Sequence, residues 1–138
     1  MSFLIDTNVI SELRKADRAD AAVRQWFSGL DDEQIYLSVL TLGEIRRGVE
    51  SIRRRDADSA ASLDRWLETL SDAYAERIIT VDRAVCEEWG RMSVPDPLPV
   101  VDGLLAATAK LGGLTLATRN VSDIERTGVP WVNPFEAG

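Results

Sequence analysis

Three acidic residues stand at positions from which a folded chain could gather them. Asp6 directly follows Phe3-Leu4-Ile5 and opens Thr7-Asn8-Val9-Ile10. Asp, Thr and Asn all favour helix N-termini, so capping is the alternative reading of this aspartate. Glu44 precedes Ile45 of an apolar stripe; one helical step of about 100° puts it at the border of the buried face. Asp102 interrupts the apolar run Leu98 to Ala107. A carboxylate among apolar neighbours must be paired, protonated or metal-bound unless it caps a helix. Asn120 and Asp123 follow in Thr118-Arg119-Asn120-Val121-Ser122-Asp123-Ile124, where turn formation and capping compete with a chemical role. Two carboxylates about 5 Å apart repel by about 3 kcal/mol at an effective dielectric near 20. Several together need a cation or must hold raised pKa values. A divalent metal relieves that repulsion, lowers the pKa of bound water and stabilises charge on phosphate, a combination suited to phosphodiester hydrolysis.

Composition narrows the chemistry. The chain has 138 residues, no histidine and one cysteine, Cys86. The lack of histidine removes Ser-His-Asp and Cys-His nucleophilic schemes. It also leaves zinc without its usual ligands, so any metal must be held by oxygen, as Mg²⁺ or Mn²⁺ is. Cys86 excludes an internal disulfide, and its apolar neighbours predict a buried, inert thiol. The net charge of −7 is awkward for a partner of nucleic acid, which usually meets a basic footprint. Local basic patches, a bridging metal or a basic partner would resolve it. Arg46, Arg47, Arg53, Arg54 and Arg55 offer such a patch, although Glu50 and Asp56 dilute it and a solvated helix face is the alternative.

The elements that would position these residues alternate along the chain. Strands are expected at Phe3 to Ile5, Ile35 to Val39, Ile78 to Val81, Leu114 to Thr118 and, weakly, Trp131-Val132. Helical spacing joins Ala19, Ala22, Val23, Trp26, Phe27 and Leu30, with Gly29 at the end; it joins Leu42, Ile45, Val49 and Ile52, then Leu63, Trp66, Leu67, Leu70 and Tyr74. Val85, Trp89 and Met92 form a further stripe before Pro95, Pro97 and Pro99 stop it. Val101 to Leu111 carries three alanines and is expected as a closely packed, buried helix. The alternation predicts an α/β fold of one domain, with a mainly parallel sheet between helices. In such sheets ligands gather at the carboxyl ends of the strands, where Asp6 and the 120–123 segment fall. The start of the chain meets a charge too soon for a signal peptide, and no apolar run approaches the roughly 20 residues of a membrane span, so a cytoplasmic protein is expected. Order should extend to all but the last few residues, Glu136 to Gly138.

The segments Leu4-Ile5-Asp6-Thr7-Asn8-Val9-Ile10-Ser11-Glu12, Glu44-Ile45-Arg46-Arg47-Gly48-Val49, Val101-Asp102-Gly103-Leu104-Leu105-Ala106-Ala107-Thr108-Ala109, Ala117-Thr118-Arg119-Asn120 and Val132-Asn133-Pro134-Phe135 together resemble the PIN-domain ribonucleases. They are most similar to VapC-type toxins of bacterial toxin–antitoxin systems, including the FitB-like branch. The likeness runs through the chain in order and spacing. It implies a five-stranded, mainly parallel sheet in a Rossmann-like three-layer sandwich, and a Mg²⁺- or Mn²⁺-dependent endoribonuclease. It also implies a homodimer and neutralisation by a cognate VapB-type antitoxin, whose basic tail would suit an acidic groove. By motif position the resemblance makes Asp6 and Asp102 metal ligands and Glu44 the third acid. Some relatives carry aspartate at the position of Asn120, and others have asparagine there with an aspartate three residues on. The fourth acidic role thus lies between Asn120 and Asp123, and Asp123 is favoured because an amide brings no charge.

Two other readings compete. A haloacid-dehalogenase-like phosphatase also places an aspartate after its first strand, but wants a second acid where this chain has Asn8. A PIN-like module could instead bind RNA or a partner without cutting, although all three principal acids are present.

Overall fold

The computed structural model describes residues 1–136. Strand β1 (Phe3–Ile5) leads into α1 (Thr7–Leu13) and α2 (Ala21–Ser28). Then come β2 (Ile35–Ser38), α3 (Val39–Arg53) and α4 (Ala57–Ala73), followed by β3 (Ile78–Ile79), α5 (Arg83–Met92) and α6 (Val100–Gly112). The chain ends with β4 (Thr115–Ala117), α7 (Val121–Ile124) and β5 (Trp131–Val132). The five strands lie in the order β3-β2-β1-β4-β5, and every pairing is parallel. β1 is central, and its chain neighbours in the sheet depart to opposite sides. That makes the carboxyl edge of β1 and β4 the topological switch point.

Period-2 alternation builds the two cores. Phe3, Ile5, Ile35 and Leu37 point to one face and pack with Val9, Ile10, Val23, Ile45, Val49, Leu67 and Leu70 from α1 to α4. Leu4 and Leu116 point to the other face and meet Leu105, Ala106 and Ala109 of α6, Ile124 of α7 and, at its edge, Met92 of α5. The alanines let α6 approach the sheet as expected. The last residue of the expected helix differs from that expectation: Leu111 is 49% exposed, because it lies on the side of the helix turned from the sheet.

Local sequence explains the helix boundaries. Asp20, Asp56 and Asp82 cap α2, α4 and α5 by accepting from Val23, Ser59 and Val85 amides. Ser38 caps α3 through Leu40 N, which ends the strand one residue before Val39. Gly113 closes α6 in the left-handed region at φ 65°, a conformation that only glycine adopts without strain. Glu136 ends the described segment in a turn, its amide donating to Asn133 O at 3.1 Å; Ala137 and Gly138, included in the expected loose end, lie outside the described residues.

Cys86 is exposed rather than buried. On α5 the inward face is set by Val85, Glu88, Trp89 and Met92, and Cys86 stands about 100° from Val85, beyond the edge of that face. Glu88 takes the buried place instead, held by Lys110 Nζ at 2.6 Å and Arg91 Nε at 3.0 Å, which ties α5 to α6.

Candidate active site

Asp6 sits at the carboxyl end of β1 and is 5% exposed. Its amide donates to Ala117 O of β4 at 2.9 Å, so the sheet's own ladder fixes its backbone. It does occupy the N-cap of α1, yet its side chain serves more than the cap. Oδ1 accepts from Thr7 N at 2.7 Å, while Oδ2 accepts from Thr118 Oγ1 at 2.7 Å and Asn8 Nδ2 at 3.2 Å. Burial and the nearby charge of Glu44 raise the Asp6 pKa against the pull of these three donors.

Glu44 lies in the second turn of α3 and is half-buried. Its Oε1 accepts from Thr7 Oγ1 at 2.5 Å, so one threonine reaches Glu44 through its hydroxyl and Asp6 through its amide. Asp102 is the third residue of α6, whose N-cap is Pro99 with no side-chain capping bond; capping therefore does not account for it. Burial raises its pKa first, and the charges of Asp6, Asp123 and Glu44 add to the rise, with Asn120 opposing them. Four carboxylates thus share one electrostatic neighbourhood, and the strand ends and helix starts of the switch point supply all of them.

The 118–123 segment completes the floor. Thr118 is fully buried and also accepts from Asn120 N at 3.0 Å. Asn120 holds the N-cap position of α7 without a side-chain capping bond, which leaves its amide for Asp102. Asp123 lies in the first turn of α7. Arg119 N donates to Asn8 Oδ1 at 3.1 Å, joining this segment to α1. The supporting roles of Thr118 and Asn8 have no signal in spacing or periodicity; their only sequence cue is that each lies within three residues of a strand end.

None of the ion pairs among the described residues involves Asp6, Glu44, Asp102 or Asp123. Among the described residues no three acids close into a ready-made metal cage either. The donor set is all oxygen, burial and mutual repulsion raise the pKa of its two central members, and among the described residues no ion pair neutralises it. Such a set fits a hard divalent ion that draws the carboxylates inward as it binds. Beside it, Glu44 and Arg47 wall a shallow hollow of about 340 Å³ together with Val39, Leu40 and Val101.

Two arginines of the basic run are committed elsewhere. Arg46 pairs with Glu50 and Asp64, and Arg53 with the same two carboxylates. For these two arginines the solvated, salt-bridged face is what the structure shows.

Open parallel sheet, central β1 and an acid cluster at the switch point define an α/β domain built around a carboxylate site. Residues 3–129 match the PIN domain model, and the chain belongs to the PIN-domain family. It is similar to VapC ribonuclease Y4jK of Sinorhizobium fredii, at 32% identity over 96% of this chain and 97% of that protein. It is 30% identical to Toxin FitB of Neisseria gonorrhoeae, again over 96% of this chain and 97% of the relative. The solved structure of FitAB bound to an IR36 DNA fragment superposes with a TM-score of 0.88 at 29% identity, covering 99% of this chain and 97% of that one. The expected fold class is the observed one. Among the described residues no helix is long and apolar enough to cross a membrane.

Proposed function

We propose that this chain is the ribonuclease toxin of a toxin–antitoxin pair, and that it hydrolyses RNA phosphodiester bonds with a divalent metal held by Asp6, Asp102 and Glu44. The observation that carries this reading is the convergence of four carboxylates, with no ion pair to them among the described residues, at the switch point of a PIN-domain sheet. The names of its relatives, a VapC ribonuclease and a toxin, support the same class. When bound, Mg²⁺ or Mn²⁺ would supply an activated water and charge stabilisation on phosphate.

The chain's own residues prepare that chemistry. Thr7, Asn8 and Thr118 fix both Asp6 oxygens in orientation, and outer partners of this kind set the position and basicity of metal-bound carboxylates. Thr7 holds Glu44 against the same centre. Asn120 and Asp123 neighbour Asp102, and Asp123 adds a fourth negative charge. Asp123 would orient water or hold a second ion, and Asn120 steadies Asp102.

The test is cleavage of labelled RNA with added Mg²⁺, with EDTA and Asp102→Asn as controls. Cleavage that depends on the metal and on Asp102 supports the scheme; undiminished turnover in folded Asp102→Asn rejects it. A basic antitoxin segment suits the acidic surroundings, and the FitAB relative was solved as an assembly on DNA. Co-expression of the small protein encoded beside this one should inhibit cleavage.

A further inference from the structure

We infer that Arg119, braced by the ring of Phe135, is the cation that receives an RNA phosphate at the rim of the acid cluster. This rests on the ribonuclease reading above and adds a substrate-binding residue to it. A chain of net charge −7 must bring a polyanion to its most acidic point, so an uncommitted cation is needed close to that point. Several candidates are committed, and Arg47, which walls the hollow beside Glu44, has no ring or hydrogen bond to brace it among the described residues. Arg46 and Arg53 share Glu50 and Asp64, Lys110 and Arg91 share Glu88, Arg83 pairs with Glu87, and Arg126 donates to the Asp96 and Pro97 carbonyls.

Arg119 combines three features. Among the described residues its guanidinium forms no ion pair within the set of salt bridges; it lies 4.3 Å from the centroid of the Phe135 ring. A guanidinium on a ring face keeps its edge N–H donors available in the plane, the geometry that suits two phosphate oxygens. Its backbone is anchored to the site: Arg119 N donates to Asn8 Oδ1, Thr118 before it donates to Asp6, and Asn120 after it stands beside Asp102. Glu12 is the carboxylate that senses its charge, but the Glu12 oxygens are engaged by Lys15 Nζ and Asp20 N, each at 2.9 Å. Phosphate therefore meets a positioned, available fork one residue from each of the groups that touch the central acids.

Steady-state RNA cleavage at fixed Mg²⁺ across a KCl series tests this in the full chain. Arg119→Gln should raise KM roughly tenfold, the size of one charge-assisted hydrogen bond, with a smaller change in kcat. It should also flatten the plot of log(kcat/KM) against log salt by about 0.7, one phosphate contact on a single strand. Arg119→Lys should restore the slope and only part of KM, since it keeps the charge without the fork. Arg65→Gln, exposed on α4 and outside the basic run, should change neither. Arg119→Gln with an unaltered slope and KM, and only a lower melting temperature, would make the Phe135 contact a clamp on the C-terminal turn and overturn the inference. Wild-type chain that cuts no RNA overturns the ribonuclease reading and this inference with it; wild-type chain that cuts while Arg119→Gln behaves identically overturns the inference alone.

Discussion

Asp6 and Asp102 are held as carboxylates against their surroundings. Burial is the first cause at both, and neighbouring carboxylates add to it. The sign of the consequence follows from linkage. A carboxyl whose folded pKa exceeds its unfolded value binds more protons in the native state, so stability falls as pH rises from the unfolded pKa through the folded one. Above that window the metal-free protein carries the full cost of both charges. Asp102→Asn should therefore raise the melting temperature in EDTA at neutral pH, while Mg²⁺ should raise it in wild type and not in the variant. Metal affinity should fall as pH is lowered through the raised carboxyl range, because protons and metal compete for the same oxygens; titrations at several pH values check this. Thr118→Val removes a buried donor to Asp6 and should cost about 10–100-fold in metal affinity or activity, as outer partners do. The acids themselves were legible as residues because Asp102 broke an apolar run and Asp6 followed a strand. Thr118 was not, since a single threonine after a strand carries no periodic signature. Cys86 shows the opposite failure: apolar neighbours in sequence do not bury a residue that stands about 100° round the helix at the edge of the inward face.

Helices with full apolar stripes were legible as elements, and all five strands fell where β-branched runs placed them. Boundaries moved where a cap intervened, as Ser38 does by turning Val39 into the first residue of α3. The short α7 was not separable from a turn, because four residues cannot display a period. Packing between α5 and α6 was beyond the sequence altogether. A Cβ at Gly103 would stand 2.6 Å from Trp89 Cδ1 and 3.1 Å from Leu98 Cβ, so this glycine lets the Trp89 indole lie against α6 one residue from Asp102. Gly103→Ala should destabilise by about 1–3 kcal/mol through overpacking and lower activity by displacing Asp102. The double variant with Trp89→Leu should recover much of both. Denaturant melts with parallel cleavage rates decide; equal stability of Gly103→Ala and wild type would contradict the close contact.

At the scale of the whole molecule, the sheet order brings Asp6 from β1, Glu44 from the helix after β2, and Asp102 and Asp123 from the helices flanking β4 to one edge. The sequence could assign them to strand ends but could not show that strand order, because parallel neighbours are chosen by long-range packing. The resemblance supplied it. Trp131 is 39% exposed and Val94 75%, which leaves apolar surface for association. Light scattering should give the mass of a dimer, and a monomer at all concentrations would remove that expectation.

The gathering of carboxylates around one divalent ion is the claim on which the function stands. Calorimetric titration of Mn²⁺ into metal-free wild type and Asp102→Asn tests it without reference to any RNA. Saturable binding by wild type that is lost or strongly weakened in the folded variant is the predicted result. Equal heats in the two proteins, or none in wild type, would contradict it.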